Sequence, residues 1–160
     1  MAIQVGDSIP SVALKHLTAD GMQEITTDSL FKGKKTVLFS VPGAFTPTCS
    51  AKHLPGFVEQ ADALKAKGVD EIVCTAVNDP FVMRAWGEKH GVDGKVTMLP
   101  DGMALLAAAL GLTQELSGPQ LGVRGQRFAL VAVDGVVTHL AVEEGGAFEV
   151  SSAEAVLKAL

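Results

Sequence analysis

Four short apolar runs rich in β-branched residues, Thr36–Val41, Glu71–Val77, Val96–Leu99 and Phe128–Val133, recur along this chain with helix-period segments between them. They are too brief for core helices and lack the polar alternation of a half-solvated sheet, so they read as strands buried on both faces. Strands of that kind alternating with helices make an α/β fold.

The punctuation between the runs agrees. An N-terminal strand is expected at Val12–Leu17. After Thr36–Val41, the apolar residues Phe57, Val58, Ala61 and Leu64 recur at helical spacing, and Pro55-Gly56 predicts a kink in that helix. Asn78-Asp79-Pro80 caps a helix running through Trp86. Met103–Leu110 reads as another helix. Phe128–Val133 and Val136–Val142 flank Asp134-Gly135, a two-residue hairpin signal. Ser151-x-x-Glu154 has the form of a capping box ahead of a last helix, Ser152–Leu160.

The chain has 160 residues with no repeat, low-complexity tract or linker, so residues 1–160 are expected to form one domain. A formal net charge of -5 argues against a nucleic-acid or basic membrane surface. Met1-Ala-Ile-Gln-Val-Gly-Asp7 has neither the basic start nor the apolar core of a signal peptide, and no apolar run is long enough to span a bilayer. The four histidines stand without ligand spacing and neither of the two cysteines has a CxxC partner, so no metal is expected. No nucleotide fingerprint is present. Two well-separated cysteines suit a reducing cytoplasm.

Chemistry concentrates in Val41-Pro-Gly-Ala-Phe-Thr-Pro-Thr-Cys-Ser50. The strand ends where Pro42-Gly43 breaks it, and Cys49 follows near a helix start, where unpaired backbone N–H groups and the helix dipole favour an ionised sulfur. The loop carries no acidic residue to oppose that charge, but has hydroxyls at Thr46, Thr48 and Ser50. A hydroxyl three residues before the thiol is placed to accept a hydrogen bond from a hydroperoxide or to donate one to the sulfur. Pro42 would shape the pocket and restrict water. The set suits attack on a weak O–O bond.

Pro42-x-x-x-Thr46-x-x-Cys49 resembles the active-site signature of the peroxiredoxins. The blocks from Pro42 through Phe57, Val77–Met83 with Ala85-Trp86, Leu121–Arg124 with Arg127–Leu130, and Glu143–Phe148 with Ser151–Glu154 resemble its atypical type II branch and extend over nearly the whole chain. The resemblance implies a thioredoxin-like fold with a central mixed sheet flanked by helices. It implies that Cys49 is the peroxidatic cysteine that becomes a sulfenic acid, that Thr46 orients the peroxide, that Pro42 shields the site and that Arg127 approaches the thiolate. An arginine suits that place because it stays charged at any working pH. It also implies reduction of hydrogen peroxide and organic hydroperoxides, and a homodimer through the active-site loop edge, with Phe45 as either interface anchor or core plug.

Cys74 lies within a strand pattern and reads as a buried, inert thiol. Among the relatives this chain resembles, some carry a cysteine at the place of Cys74 as a proposed intramolecular partner, and others use a resolving cysteine in the late glycine-rich loop, of which Gly145–Ser152 contains none. The expected cycle therefore uses no cofactor and an external thiol, glutathione with glutaredoxin, or thioredoxin. A Cys49–Cys74 disulfide and a redox-sensor or binding module are the alternatives. Arg124 reads as a solvent or interface residue. His53, four residues after Cys49, reads as structural.

Overall fold

The computed structural model describes residues 1–160. Its centre is a five-stranded mixed sheet in the order β5-β4-β3-β8-β9: β3 (Lys35–Ser40), β4 (Glu71–Ala76) and β5 (Thr97–Pro100) run parallel, while β8 (Phe128–Val133) and β9 (Val136–Val142) are antiparallel. This is the thioredoxin-like arrangement.

The apolar runs are continuous because both faces of the sheet are covered. Val37, Phe39, Val41, Ile72, Cys74, Ala129 and Val131 face one core, which includes Leu54, Phe57, Leu64, Met83, Trp86 and Val156. The alternate residues Leu38, Val73, Phe128 and Leu130 face a second core with Phe31, Leu99, Leu106 and Leu110. Helices α2 (Leu54–Glu59), α3 (Ala61–Ala66), α4 (Pro80–Lys89) and α6 (Ala153–Ala159) cover the first core; α1 (Thr27–Phe31) and α5 (Leu105–Leu110) cover the second. The β8–β9 turn is the tight one expected, with φ of 49° at Asp134 and 78° at Gly135. Asp79 caps α4 by accepting from Val82 N at 2.9 Å.

The structure departs from the sequence reading at four points. The N-terminal strand, β1 (Ala13–Thr18), pairs with an unforeseen β2 (Gly21–Thr26), none of whose residues is buried and which carries no apolar pattern. The short pair β6 (Thr113–Leu116) and β7 (Gly122–Gly125) also forms outside the main sheet. The helix carrying Cys49 is not broken at Pro55-Gly56: Leu54–Glu59 is regular, and the irregularity lies upstream as a π-helical turn, Cys49–His53. Proline disturbs the turn before it, where its ring meets the preceding carbonyls. Leu54 N accordingly bonds five residues back, to Cys49 O. Finally, Ser152 rather than Ser151 caps α6, accepting from Ala155 N at 3.1 Å.

Candidate active site

The site forms where β3 ends, at the carboxyl edge of the parallel strands. Beyond Ser40 the chain turns through Pro42–Phe45 into the helix carrying Cys49. Three bonds hold that turn. Val41 N donates to Thr75 O at 3.1 Å, Ala44 N to Asn78 Oδ1 at 2.8 Å, and Arg124 Nη1 to Pro42 O at 3.2 Å. Arg124 is thus neither a solvent nor an interface residue alone; it clamps the loop. Gly43 permits this, since a Cβ there would lie 2.8 Å from Arg124 Nη1.

Thr46 donates its hydroxyl proton to Gly43 O at 2.7 Å. With the proton so used, the hydroxyl presents only acceptor capacity to the pocket. Of the two tasks expected of it, accepting from a hydroperoxide survives and donating to the sulfur does not. The helix begins within this loop, Ser50 N bonding to Thr46 O at 2.9 Å, so Cys49 lies in its first turn.

Cys49 is completely buried, and Arg127 Nη2 donates to its Sγ at 3.0 Å across 78 residues of sequence. Arg127 is itself only 9% exposed. Its second arm, Nη1, donates to His53 Nδ1 at 2.8 Å. An arginine only donates, so Nδ1 is the bare nitrogen and the ring proton sits on Nε2, which donates to Ser151 O at 2.9 Å. Burial and the neighbouring guanidinium push His53 down to about 3, with the Ser151 bond opposing them, so the ring is neutral at physiological pH. Phe39, Phe57 and Phe148 surround it with ring centroids at 4.9, 5.7 and 5.0 Å.

Sequence reasoning missed the part His53 plays. Its one signal was the four-residue spacing from Cys49, which by itself says only that the two share a helical face. Phe45 is not a core plug: it is 49% exposed, has φ of 62° and leans on Trp86 with centroids 6.5 Å apart. Trp86 is buried and donates its indole N–H to Ser50 Oγ at 3.0 Å, tying α4 to the residue after the cysteine.

Cys74 is free, fully buried in β4 and registered between Phe39 and Met98 on the neighbouring strands. Burial first and Cys49 second push its thiol up, with Arg127 opposing, so it stays protonated.

A buried cysteine at a helix start with a guanidinium on its sulfur, in a thioredoxin-like fold, defines a thiol oxidoreductase. The family model described as Redoxin matches residues 4–157. The chain is 56% identical over 163 residues to Peroxiredoxin-2E-2, chloroplastic, of Oryza sativa subsp. japonica, covering 99% of this chain and 72% of that protein. The structure of reduced Prx3 from Vibrio vulnificus in complex with H2O2 superposes with a TM-score of 0.94 at 50% identity, covering 98% of each chain. This chain belongs to the Redoxin family and, within it, to the peroxiredoxins, the thiol-dependent peroxidases. A Burkholderia cenocepacia structure bearing the name thioredoxin reductase is equally similar, with a TM-score of 0.97 at 48% identity over 100% of this chain and 99% of that one. That name does not transfer, because this chain has neither a CxxC pair nor a dinucleotide fingerprint.

Proposed function

We propose that the enzyme reduces hydrogen peroxide and organic hydroperoxides through a Cys49 sulfenic acid, and that glutathione with glutaredoxin recycles it without help from Cys74. The observation that carries this reading is the 3.0 Å contact of Arg127 on a cysteine whose only potential partner is locked in a central strand.

The Cys49 thiolate attacks the terminal oxygen of the hydroperoxide. A sulfur–oxygen bond forms as the O–O bond breaks, and the leaving alkoxide or hydroxide takes up a proton. Arg127 faces the sulfur with a donor that can follow charge onto the departing oxygen, while the bare lone pairs of Thr46 accept from the peroxide O–H and aim it. Pro42 closes the loop over this space. A thiol then displaces water from the sulfenic acid to give a mixed disulfide, and a second thiol releases the Cys49 thiolate. No bound cofactor enters this cycle.

Because Cys49 is fully covered, a peptide thiol reaches it only if the π turn or the 42–46 loop opens. Cys74 lines the same core as Cys49, and a disulfide between them would need the helix start or β4 to move. A homodimer belongs to the same reading. Phe45, Phe81 and Met103 are exposed apolar residues, and Asn78 ties the Phe45 loop to the segment that leads into the Phe81 helix. Two free thiols fit a reducing compartment such as the cytoplasm.

The test is the intact mass of reduced enzyme after one equivalent of peroxide, with a thiol-blocking reagent added afterwards. Gain of one oxygen with Cys74 still blockable is expected. Loss of two hydrogens in a monomeric mass with no blockable thiol would mean that Cys74 resolves Cys49.

A further inference from the structure

The hydrogen bonds behind the cysteine do not end at His53. Ser151, whose carbonyl takes the His53 proton, is itself held through both its other polar groups: its N–H and its hydroxyl donate to Glu143 Oε2 at 2.9 and 2.6 Å. The N–H groups of Glu149 and Val150 reach the same oxygen at 2.8 and 2.9 Å. One carboxylate oxygen thus gathers four donors from three consecutive residues. Burial alone would push the Glu143 carboxyl up, but these four bonds hold it below the usual range, so it is a carboxylate throughout the working pH.

Glu143 also starts next to Arg127. Its backbone N–H donates to Arg127 O at 2.9 Å, just past the paired part of β8 and β9. The two side chains nevertheless form no ion pair with each other. The guanidinium keeps its two forward arms for Cys49 and His53, and the carboxylate is spent on the loop.

That division has a chemical consequence. In the other tautomer, His53 would turn an Nδ1 proton toward the Arg127 nitrogen now 2.8 Å away, setting donor against donor and driving the guanidinium off the sulfur. What prevents it is an acceptor fixed beside Nε2, and Ser151 O is that acceptor. Phe148, carried on the same loop, closes over the pair, its ring centred 5.0 Å from the His53 ring and 5.8 Å from Arg127 Cζ.

We propose that Glu143 and Ser151 are positioning residues for the peroxide reaction: the carboxylate pins Ser151, the Ser151 carbonyl fixes His53 in its Nε2–H tautomer, and His53 Nδ1 thereby holds Arg127 on Cys49. The proposal rests on the reading of Arg127 as the cation that serves the thiolate. Both residues act through others and neither touches the peroxide. The titratable and charged groups around the sulfur are Arg127, His53 and Cys74, and the relay acts on the first two.

The experiment is a double-mutant cycle read as the second-order rate constant of the reduced enzyme with hydrogen peroxide across pH. Glu143→Gln should lower that constant about tenfold at neutral pH and move the acid limb of its profile to higher pH. Ser151→Ala removes one hydroxyl donor and keeps the carbonyl, so a loss of about two- to threefold is expected in the same direction. In an Arg127→Lys background, Glu143→Gln should add less than about twofold, because lysine offers one nitrogen where the fork has two. Equal losses in both backgrounds, or an unmoved pH profile in the single variants, overturn the proposal. An Arg127→Lys enzyme with an undiminished rate constant would instead overturn the reading of the site beneath it. Should Glu143→Gln fail to fold, His53→Gln against His53→Leu decides: glutamine keeps an acceptor and a donor and should restore most of the rate and profile that leucine loses. Equal rates for those two variants also count against the relay.

Discussion

Replacing Arg127 with lysine keeps the charge and removes the fork. In the native site one arm lies 3.0 Å from Cys49 Sγ and the other 2.8 Å from His53 Nδ1, in a residue that is buried. At the sulfur distance the attraction between cation and thiolate is about 5 kcal/mol for an effective dielectric near 20, before desolvation is subtracted. Lysine retains part of that attraction. What it loses is simultaneous donation to sulfur and imidazole, and the donor that follows charge onto the leaving oxygen. Losing one such donor typically costs about 3–4 kcal/mol of transition-state stabilisation, or roughly 10²–10³ in rate. We expect Arg127→Lys near the lower figure and Arg127→Ala near the upper. A His53 nitrogen left unpaired in a buried ring cage costs about 1–3 kcal/mol of stability. That lowers the melting temperature by several degrees in a chain of this size. Rapid-mixing consumption of hydrogen peroxide by the reduced enzyme, alongside a thermal melt, reads both quantities. A lysine variant within about threefold of the native rate constant, with an unchanged melt, would refute the argument that the fork rather than the charge matters.

Other perturbations follow from the same geometry. His53 titrates near 3 in the fold but at about 6.5 in the unfolded chain, so below 6.5 the unfolded state binds the extra proton and stability falls as pH falls. Each pH unit between those limits should remove about 1.4 kcal/mol, with the lowered Glu143 adding to the loss further down. Urea midpoints from pH 7 to pH 4 check this, and a flat series would contradict a neutral buried His53. Gly43→Ala puts a methyl 2.8 Å from Arg124 Nη1 and 3.1 Å from Thr46 Cγ2. The flexible arginine should yield, breaking its bond to Pro42 O for about 1 kcal/mol, and the nudged Thr46 should slow peroxide reduction several-fold. An unaltered rate constant would show that the loop tolerates the methyl. Cys74→Ser places a hydroxyl in a fully buried strand position and should cost about 1–3 kcal/mol in denaturant titrations. Glutathione-linked turnover should persist; its disappearance would remove the one-cysteine cycle.

β3, β4 and β8 were legible because they are buried on both faces and therefore carry unbroken apolar runs. β2 was not, since no residue of Gly21–Thr26 is buried and its polar residues match no period. The position of Cys49 at a helix start could be read from Pro42-Gly43 and the helical spacing that follows, yet the π turn could not, because proline at 55 displaces the distortion one turn upstream. Arg127 was legible only through family resemblance: local patterning says nothing about a contact 78 residues away. Ser151 misled in an instructive way. Ser151-x-x-Glu154 satisfies the local rule for a cap, but a buried carboxylate from Glu143 competes for the same hydroxyl, and the cap passes to Ser152. Local rules rank what a residue does in isolation, and tertiary partners re-rank it.

The bond from Trp86 to Ser50 gives the molecule an optical property of its own. The chain has one tryptophan and no tyrosine, so its near-ultraviolet emission arises almost entirely from an indole fastened to the residue next to Cys49. Any event that loosens the cysteine's helix, whether oxidation or the approach of a reducing thiol, also releases that indole from its hydrogen bond. The emission wavelength is then a clock on the opening of the site, set by the native sequence and requiring no label.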